Sequence, residues 1–422
     1  MKLFQRLLVA PAALGLMAPL AANADVTAVS NESDLSSEVI QARVDGVEAQ
    51  IGEIMAGQFS SSTKMSGKAA FITGYVDDDA ETNTDEITME YMYQLNLNTS
   101  FTGEDNLYTR IKTGNVGDHF VDKGQNTYLS AAKGSKNTDG DQTGNLSVDK
   151  LWYQFPVGDS LQVWVGPRIE NYYMLASAPS IYKPVTKQFA LGGNGSAYGS
   201  STSPGFGAAW TQQVDDPMDP RFALSVNYTS KDGASSSKGL LGDNSRNFLL
   251  TKVEYGSPRW QVSLAAAKKD GHSAKAGYDG YFHSSLASST VGEMTAYGLR
   301  AYWRPETSGA VPSVQFGFDT ASFDEATAGQ AEETEGWMIG LGWKDLFIDG
   351  NSAGVAFGSE MAATDIKGGG SDPSEDNSVW EAYYTFKVND GVSVTPAIFG
   401  SSDVSGSDKD VNGAVLLTEF RF

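Results

Sequence analysis

The sequence predicts an all-β fold: a transmembrane antiparallel β-barrel of sixteen strands, preceded by a short periplasmic coiled-coil-like helix. Three observations carry that expectation. From Lys64 onward apolar and polar residues alternate with period two. The connections between the alternating runs are short and long by turns. Aromatic residues gather beside the short ones. The run Met89, Tyr91, Tyr93, Leu95, Leu97, Thr99, Phe101 interleaves with Glu90, Met92, Gln94, Asn96, Asn98 and Ser100. Such a run outlasts an ordinary strand of about five or six residues and suits a tilted membrane strand of about 9–11.

Residues 1–24 read as a signal peptide: Lys2 and Arg6, then a short apolar stretch broken by Pro11 and Pro19, then the small-x-small site Ala22-Asn23-Ala24. Cleavage is expected after Ala24. Residues 25–58 form an N-terminal periplasmic segment, polar at first. Within it Ile40, Val44, Val47, Ile51 and Ile54 succeed one another at steps of 4, 3, 4 and 3, a heptad seam. So short a helix is marginal alone; it packs in an oligomer, at the barrel mouth, or on its own chain.

Residues 59–422 make the barrel. Strands are expected near 64–76, 87–101, 106–115, 147–156, 160–170, 205–214, 220–230 and 246–256. The second half supplies 259–268, 293–304, 311–320, 335–344, 351–361, 378–388, 392–401 and 412–422. An even strand number is what single-chain bacterial barrels show, as is sorting of short and long connections to opposite ends. Phe101, Phe155, Phe222, Tyr255, Trp260, Trp303, Trp343 and Phe386 sit beside short turns on the apolar face, a girdle for one membrane interface. The chain ends Leu416, Thr418, Phe420, Phe422, a membrane-facing strand with a terminal aromatic ring.

The composition narrows the chemistry. There is no Cys, so no disulfide scaffold, thiolate metal site or Cys nucleophile. A net charge of −22 argues against nucleic acid as a partner. His119, His272 and His283 fall in predicted loops without triad or metal spacing, and Gly192-Gly193-Asn194-Gly195 lacks the strand and helix of a dinucleotide site. Asp77-Asp78-Asp79 and Asp139-Gly140-Asp141 lack a complete calcium loop. No catalytic residue, metal or cofactor is expected.

With apolar residues facing lipid, the opposite parity faces the lumen. It carries Lys68, Arg110, Lys112, Lys150, Arg168, Lys252, Arg300 and Arg304, with Glu90, Glu254, Asp319 and Glu381 among the acids. Arg110, Lys112, Lys150 and Arg168 fall on three successive strands and would form a basic arc. The arc either favours anions or merely keeps the interior wet. Connection 171–204 contains no Asp or Glu but holds Tyr172, Tyr173, Tyr182, Lys183, Lys187 and Phe189. It is the candidate constriction loop, with an ordinary surface loop as the alternative.

Several stretches resemble one family, the cyanobacterial iron-uptake porins that belong with the OprB-type carbohydrate-selective porins. They are Val44-Asp45-Gly46-Val47-Glu48-Ala49 through Gln58-Phe59-Ser60, Leu95 to Gly103 (LNLNTSFTG), Trp152 to Asp159 (WYQFPVGD), Tyr302-Trp303-Arg304-Pro305, and Glu381-Ala382-Tyr383-Tyr384 with Pro396. The resemblance implies an outer-membrane porin, a homotrimer in contact with outer-membrane lipid and inserted by the barrel-assembly machinery. It implies passive passage of small solutes and inorganic ions, iron or small carbohydrates among them. Members commonly carry an N-terminal S-layer-homology domain that tethers them to peptidoglycan. The stretch from Asp25 to Ile40 is too short for one, so peptidoglycan binding is not expected. The competing readings are an outer-membrane barrel enzyme and a secreted β-rich adhesin. The enzyme lacks paired Ser and His on the lipid face, and the adhesin lacks an internal repeat.

Overall fold

Each period-two run pairs antiparallel with the next, and the last returns to the first. The computed structural model describes residues 62–78, 86–116, 120, 129–132, 146–193, 196–199, 202–242, 245–273, 291–372, 375–402 and 410–422. The expected signal peptide and the Ile40–Ile54 helix lie outside the described residues. The first strands are β1 (Thr63–Asp78), β2 (Thr88–Thr99), β3 (Asn106–Gly114), β4 (Ser147–Val157), β5 (Leu161–Ile169) and β6 (Ser203–Thr211). Then come β7 (Arg221–Ser230), β8 (Asn247–Gly256), β9 (Trp260–Ser273), β10 (Val291–Trp303), β11 (Ser313–Phe323) and β12 (Ala331–Lys344). The last are β13 (Ser352–Gly358), β14 (Ala362–Ile366), β15 (Ser378–Lys387), β16 (Val392–Ser402) and β17 (Val411–Arg421).

Strands β13 and β14 both pair with β12 and are two pieces of one stave, so the barrel has sixteen. The run expected at 351–361 breaks at residues 359–361 and resumes. Beyond the break, opposite β14, β12 shifts register at Glu333. Strand β1 pairs with both β2 and β17, Lys68 opposite Arg421 through Asp78 opposite Val411. Closure leaves no unpaired sheet edge.

Alternation sorts the faces. Leu224, Val226, Leu249, Val253, Val262, Leu264, Ile339 and Ile398 are exposed outward, and the intervening positions are buried inward. An exposed apolar band of that extent has no counterpart on a soluble monomer and is the outer wall of a membrane barrel. Near the short turns Phe222 stands 4.5 Å from Tyr255, and Tyr255 5.6 Å from Trp260, as the girdle predicts. Phe422 closes the seam there. Its backbone exchanges bonds of 2.7 and 3.1 Å with Gly67. A Cβ at Gly67 would lie 2.5 Å from the Phe422 ring, so only glycine admits that ring.

The inner wall is not uniformly polar. Ala70, Ile72, Val76, Met92, Phe399, Val415 and Leu417 form an inward apolar patch on β1, β2, β16 and β17. A second patch includes Phe248, Leu250, Met294 and Phe323. Apolar residues facing inward need a cover, and the long connections supply it.

Candidate functional site

The segment between β5 and β6 lies against the inward faces of the wall. It begins where Asn171 exchanges side-chain and backbone bonds with Asn227 of β7, at 2.7 and 3.1 Å. The Ala176 N–H then donates to Ser225 at 2.9 Å, and Lys252 Nζ donates to the Ser177 carbonyl at 3.0 Å. Farther round, the Ile181 N–H meets Gln315 of β11 at 3.0 Å. Its centre is held by Glu381 of β15. One carboxylate accepts from Tyr182 Oη (2.9 Å), Val185 N (3.0 Å), Thr186 N (2.7 Å) and Thr186 Oγ1 (2.6 Å). Buried at 1 % exposure, Glu381 is satisfied by these donors and not by a cation.

Arg300 of β10 holds the far end. Its Nη2 donates to both Asp319 oxygens (2.9 and 2.8 Å), while Nε and Nη1 donate to the Leu191 and Phe318 carbonyls at 2.9 and 3.0 Å. Three donor nitrogens held in one plane are what make arginine fit here. Two glycines let the segment seat closely. A Cβ at Gly317 would come within 1.6 Å of the Gly192 oxygen, and one at Gly340 within 2.9 Å of the Tyr182 ring.

A second segment, between β3 and β4, also reaches inside. Phe120, Leu129 and Ala131 cover the inward patch of β1 and β17, together with Val185. Leu129 bridges Thr186, and the Ser130 N–H donates to the Val185 carbonyl at 2.8 Å. Sequence reasoning missed this segment. The available signal was β1, apolar on both faces, which a wet lumen would not require.

The named interior residues fall into three groups. Most charges are paired: Lys68 with Glu419 (2.9 Å), Arg110 with Asp149, Lys150 with Glu170 (2.8 Å), Lys252 with Glu254, and Arg300 with Asp319 (2.8 Å). Glu90 and Lys112 face inward on β2 and β3, across from Ile72 and Gln94. Arg304 comes just after β10 and lies over the Tyr302 ring at 5.2 Å.

Arg168 departs from the expectation. A bulge in β5 between Gly166 and Ile169 inserts one residue, so Ile169 takes the inward position and Arg168 pairs with outward Leu151. A single extra residue reverses the face of every residue after it in the strand. The expected arc therefore loses Arg168.

In the loop, Tyr182 and Phe189 are buried against the wall. Lys187 is buried too, whereas Lys183 is exposed. Tyr172 and Tyr173 are half-buried, 4.7 Å apart, with Tyr173 4.8 Å from Trp152 and its hydroxyl 3.0 Å from Arg110. Tyr198, later in the same loop, has its hydroxyl pushed up to about 12 by burial, against the opposing pull of Arg300.

Among known proteins, the model of the OprB family, described as carbohydrate-selective porins, matches residues 20–418. The chain is 26 % identical to the uncharacterized protein alr4550 of Nostoc sp., over 92 % of this chain and 70 % of that one. It is 24 % identical to the uncharacterized protein sll0772 of Synechocystis sp., over 87 % and 70 %. In fold it is similar to Pseudomonas putida OprB, with a TM-score of 0.57 and 13 % identity over 86 % of this chain and 94 % of that one. Salmonella typhi OmpF, in complex with daunomycin, gives a TM-score of 0.54 and 11 % identity over 85 % and 97 %.

Proposed function

Because the chain belongs to the OprB family of carbohydrate-selective porins, we propose that it is an outer-membrane pore for passive diffusion of small hydrophilic solutes, with an interior that favours uncharged ones. The observation that carries this reading is the pairing of interior charge. Five inward cations each sit on a carboxylate. A close ion pair presents a dipole, whose field falls off faster than that of a lone charge, so it neither concentrates nor repels passing ions strongly. The basic arc inferred from parity thus loses most of its force, and no covalent chemistry is asked of the interior.

Planar-bilayer recording of the purified protein tests the proposal. Reversal potentials across a KCl gradient should show almost no ion preference at about 1 M, where screening reaches only about 3 Å. As salt falls, a cation preference should emerge from the acidic chain, whose net charge is −22. Protein that gives no conductance steps would overturn the pore reading. Steps with a strong high-salt anion preference would overturn the neutral interior.

The remaining parts of the proposal rest on the family and on the sequence pattern. They are export with cleavage after Ala24, insertion by the barrel-assembly machinery, lipid around the apolar band, and a homotrimer. Cross-linking of membranes that yields monomer only would remove the last.

A further inference from the structure

The long connection after β7 lies down along the outer face of the wall. Tyr228, outward on β7, donates from its hydroxyl to the Leu240 carbonyl at 2.8 Å. Ser230, outward by alternation, is wholly buried against Ser245. A Cβ at Gly233 would lie 3.0 Å from Leu240 and 3.1 Å from Pro204, so the segment also covers the outer face of β6. Pro204 follows Ser203, which pairs with Ile169, so Arg168 emerges on the same rim one stave farther on. Leu241, next to Leu240, is 70 % exposed. This rim is basic in a chain whose net charge is −22. Arg246 holds both oxygens of Asp232, at 2.8 and 2.7 Å, and Lys238 lies 3.5 Å from the same carboxylate. One acid cannot neutralise two cations, so the exposed Lys238 carries a surplus charge. Arg168 is exposed too; its Nε donates to the Asp149 carbonyl at 3.4 Å, and among the described residues it has no carboxylate partner. At β10 and β12 the same rim is acidic: Glu333 and Glu335 are exposed, and Glu293 takes up Lys268.

We propose that Arg168, Lys238 and the apolar side of residues 231–242 form a docking surface for an anionic, phosphate-bearing lipid of the leaflet on the long-connection side. The proposal rests on the reading of the chain as an outer-membrane barrel. Three arguments favour a lipid as the occupant. The basic rim is continuous with the lipid-facing wall, where Val165, Phe206 and Val226 are exposed, so acyl chains against those residues bring a headgroup to the cations. A cation on that wall is costly at the bilayer midplane and nearly free at the interface, the level of the lipid phosphates. Arginine can fork onto phosphate oxygens there, and lysine adds a point charge. The bulge between Gly166 and Ile169 thus acquires a use: it turns toward the lipid a guanidinium that strict alternation would send into the lumen. The acidic sector at β10 and β12 would repel the same headgroup, which confines the site to the β5–β7 side.

In the experiment, full-length protein in detergent is titrated with diphosphorylated lipid A, with phosphatidylcholine and with inorganic phosphate, and bound lipid is counted by native mass spectrometry. Lipid A should stay bound, phosphatidylcholine should not, and inorganic phosphate should fail to displace lipid A at equal concentration. Arg168→Gln and Lys238→Gln should each weaken lipid A binding about fivefold, the contribution of one cation beside an anionic surface. Lys268→Gln, in the acidic sector, should leave binding unchanged. Heat-modifiable gel migration confirms that each variant is folded, and planar-bilayer conductance should equal wild type in all three. Lipid A binding that both basic-rim variants keep at full strength would overturn the site, and conductance steps in the same samples would leave the pore reading intact. Displacement by inorganic phosphate would make the rim a site for free anions and overturn the lipid. A smaller cross-linked oligomer in Arg168→Gln would assign the rim to a second copy of the chain. No conductance steps and no lipid A binding would overturn both readings.

Discussion

Glu381 concentrates four hydrogen bonds on one buried carboxylate, so it is where a single atom change should matter most. Gln in its place keeps one acceptor and turns an N–H₂ toward the Thr186 or Val185 N–H. Charge-assisted bonds are worth about 1.5–3 kcal/mol, so Glu381→Gln should free the segment, lower the thermal unfolding point and add flicker to single-channel records. Asp105, in the turn after β2, gives a pH dependence. Burial pushes its carboxyl up, but the Thr102 backbone N–H and the hydroxyls of Tyr153, Ser100 and Thr102 outweigh that and hold it well below the usual carboxylate range. The unfolded chain therefore takes up the proton first as pH falls. Asp105 stabilises the fold fully above the ordinary Asp range of about 4 and loses that contribution as pH drops through its folded value. The Asp105→Asn variant should show its largest unfolding-temperature deficit at neutral pH, shrinking below about pH 4; a deficit constant with pH would contradict this. At this scale the sequence was readable in parity and unreadable in pairing. That Lys252 and Arg300 face inward is a consequence of alternation. That Arg300 meets Asp319 requires the register of β10 on β11.

At the scale of elements, the long connection after β5 stood out in sequence because it carries no acid, and its place in the barrel depends on seats elsewhere. Gly317 and Gly340 are such seats, and neither is distinguishable from other strand glycines by sequence alone. Gly317→Val should push residues 191–193 off β11, raise single-channel conductance and leave the circular dichroism of the barrel unchanged. Conductance equal to wild type would mean that the seat does not set the aperture. The bulge in β5 shows the opposite limit. Strict alternation puts Arg168 inside, and one inserted residue puts it outside. Gly166-Pro167 is the signal for that insertion, since a proline inside a strand cannot donate to the ladder and belongs at edges or bulges, and a reading by alternation alone passes over it; the bulge then lets Ile169 pack with Trp152 and Trp164.

For the whole molecule, strand number, closure and girdle were legible because the bilayer imposes them on every strand alike. The filling of the interior was not, because it depends on contacts between segments far apart in the chain. Phe422 joins the two kinds of information: its place in the apolar register of the last strand is plain in sequence, and its seat on Gly67 is plain only once the barrel closes. Deleting Phe422 should lower the folded fraction recovered from outer membranes and leave unfolded chain in the periplasm. Gly67→Val, which blocks the ring but keeps the terminus, should give a milder form of the same defect. Normal surface levels for both would make the terminal ring dispensable.

The apolar patch behind the seam has a consequence for the order of events in biogenesis. Ala70, Ile72, Val415 and Leu417 come from the first and last strands to be synthesised, and they meet over Phe120, Leu129 and Val185. A barrel that zipped shut around an empty interior would trap that patch against water. A chain whose inner segments are already in place offers the closing strands a dry template. Lumen filling and ring closure then become one cooperative step. A fault in either inner segment should surface as a failure to close: chains that remain open and sensitive to protease, well before any defect in transport could be recorded.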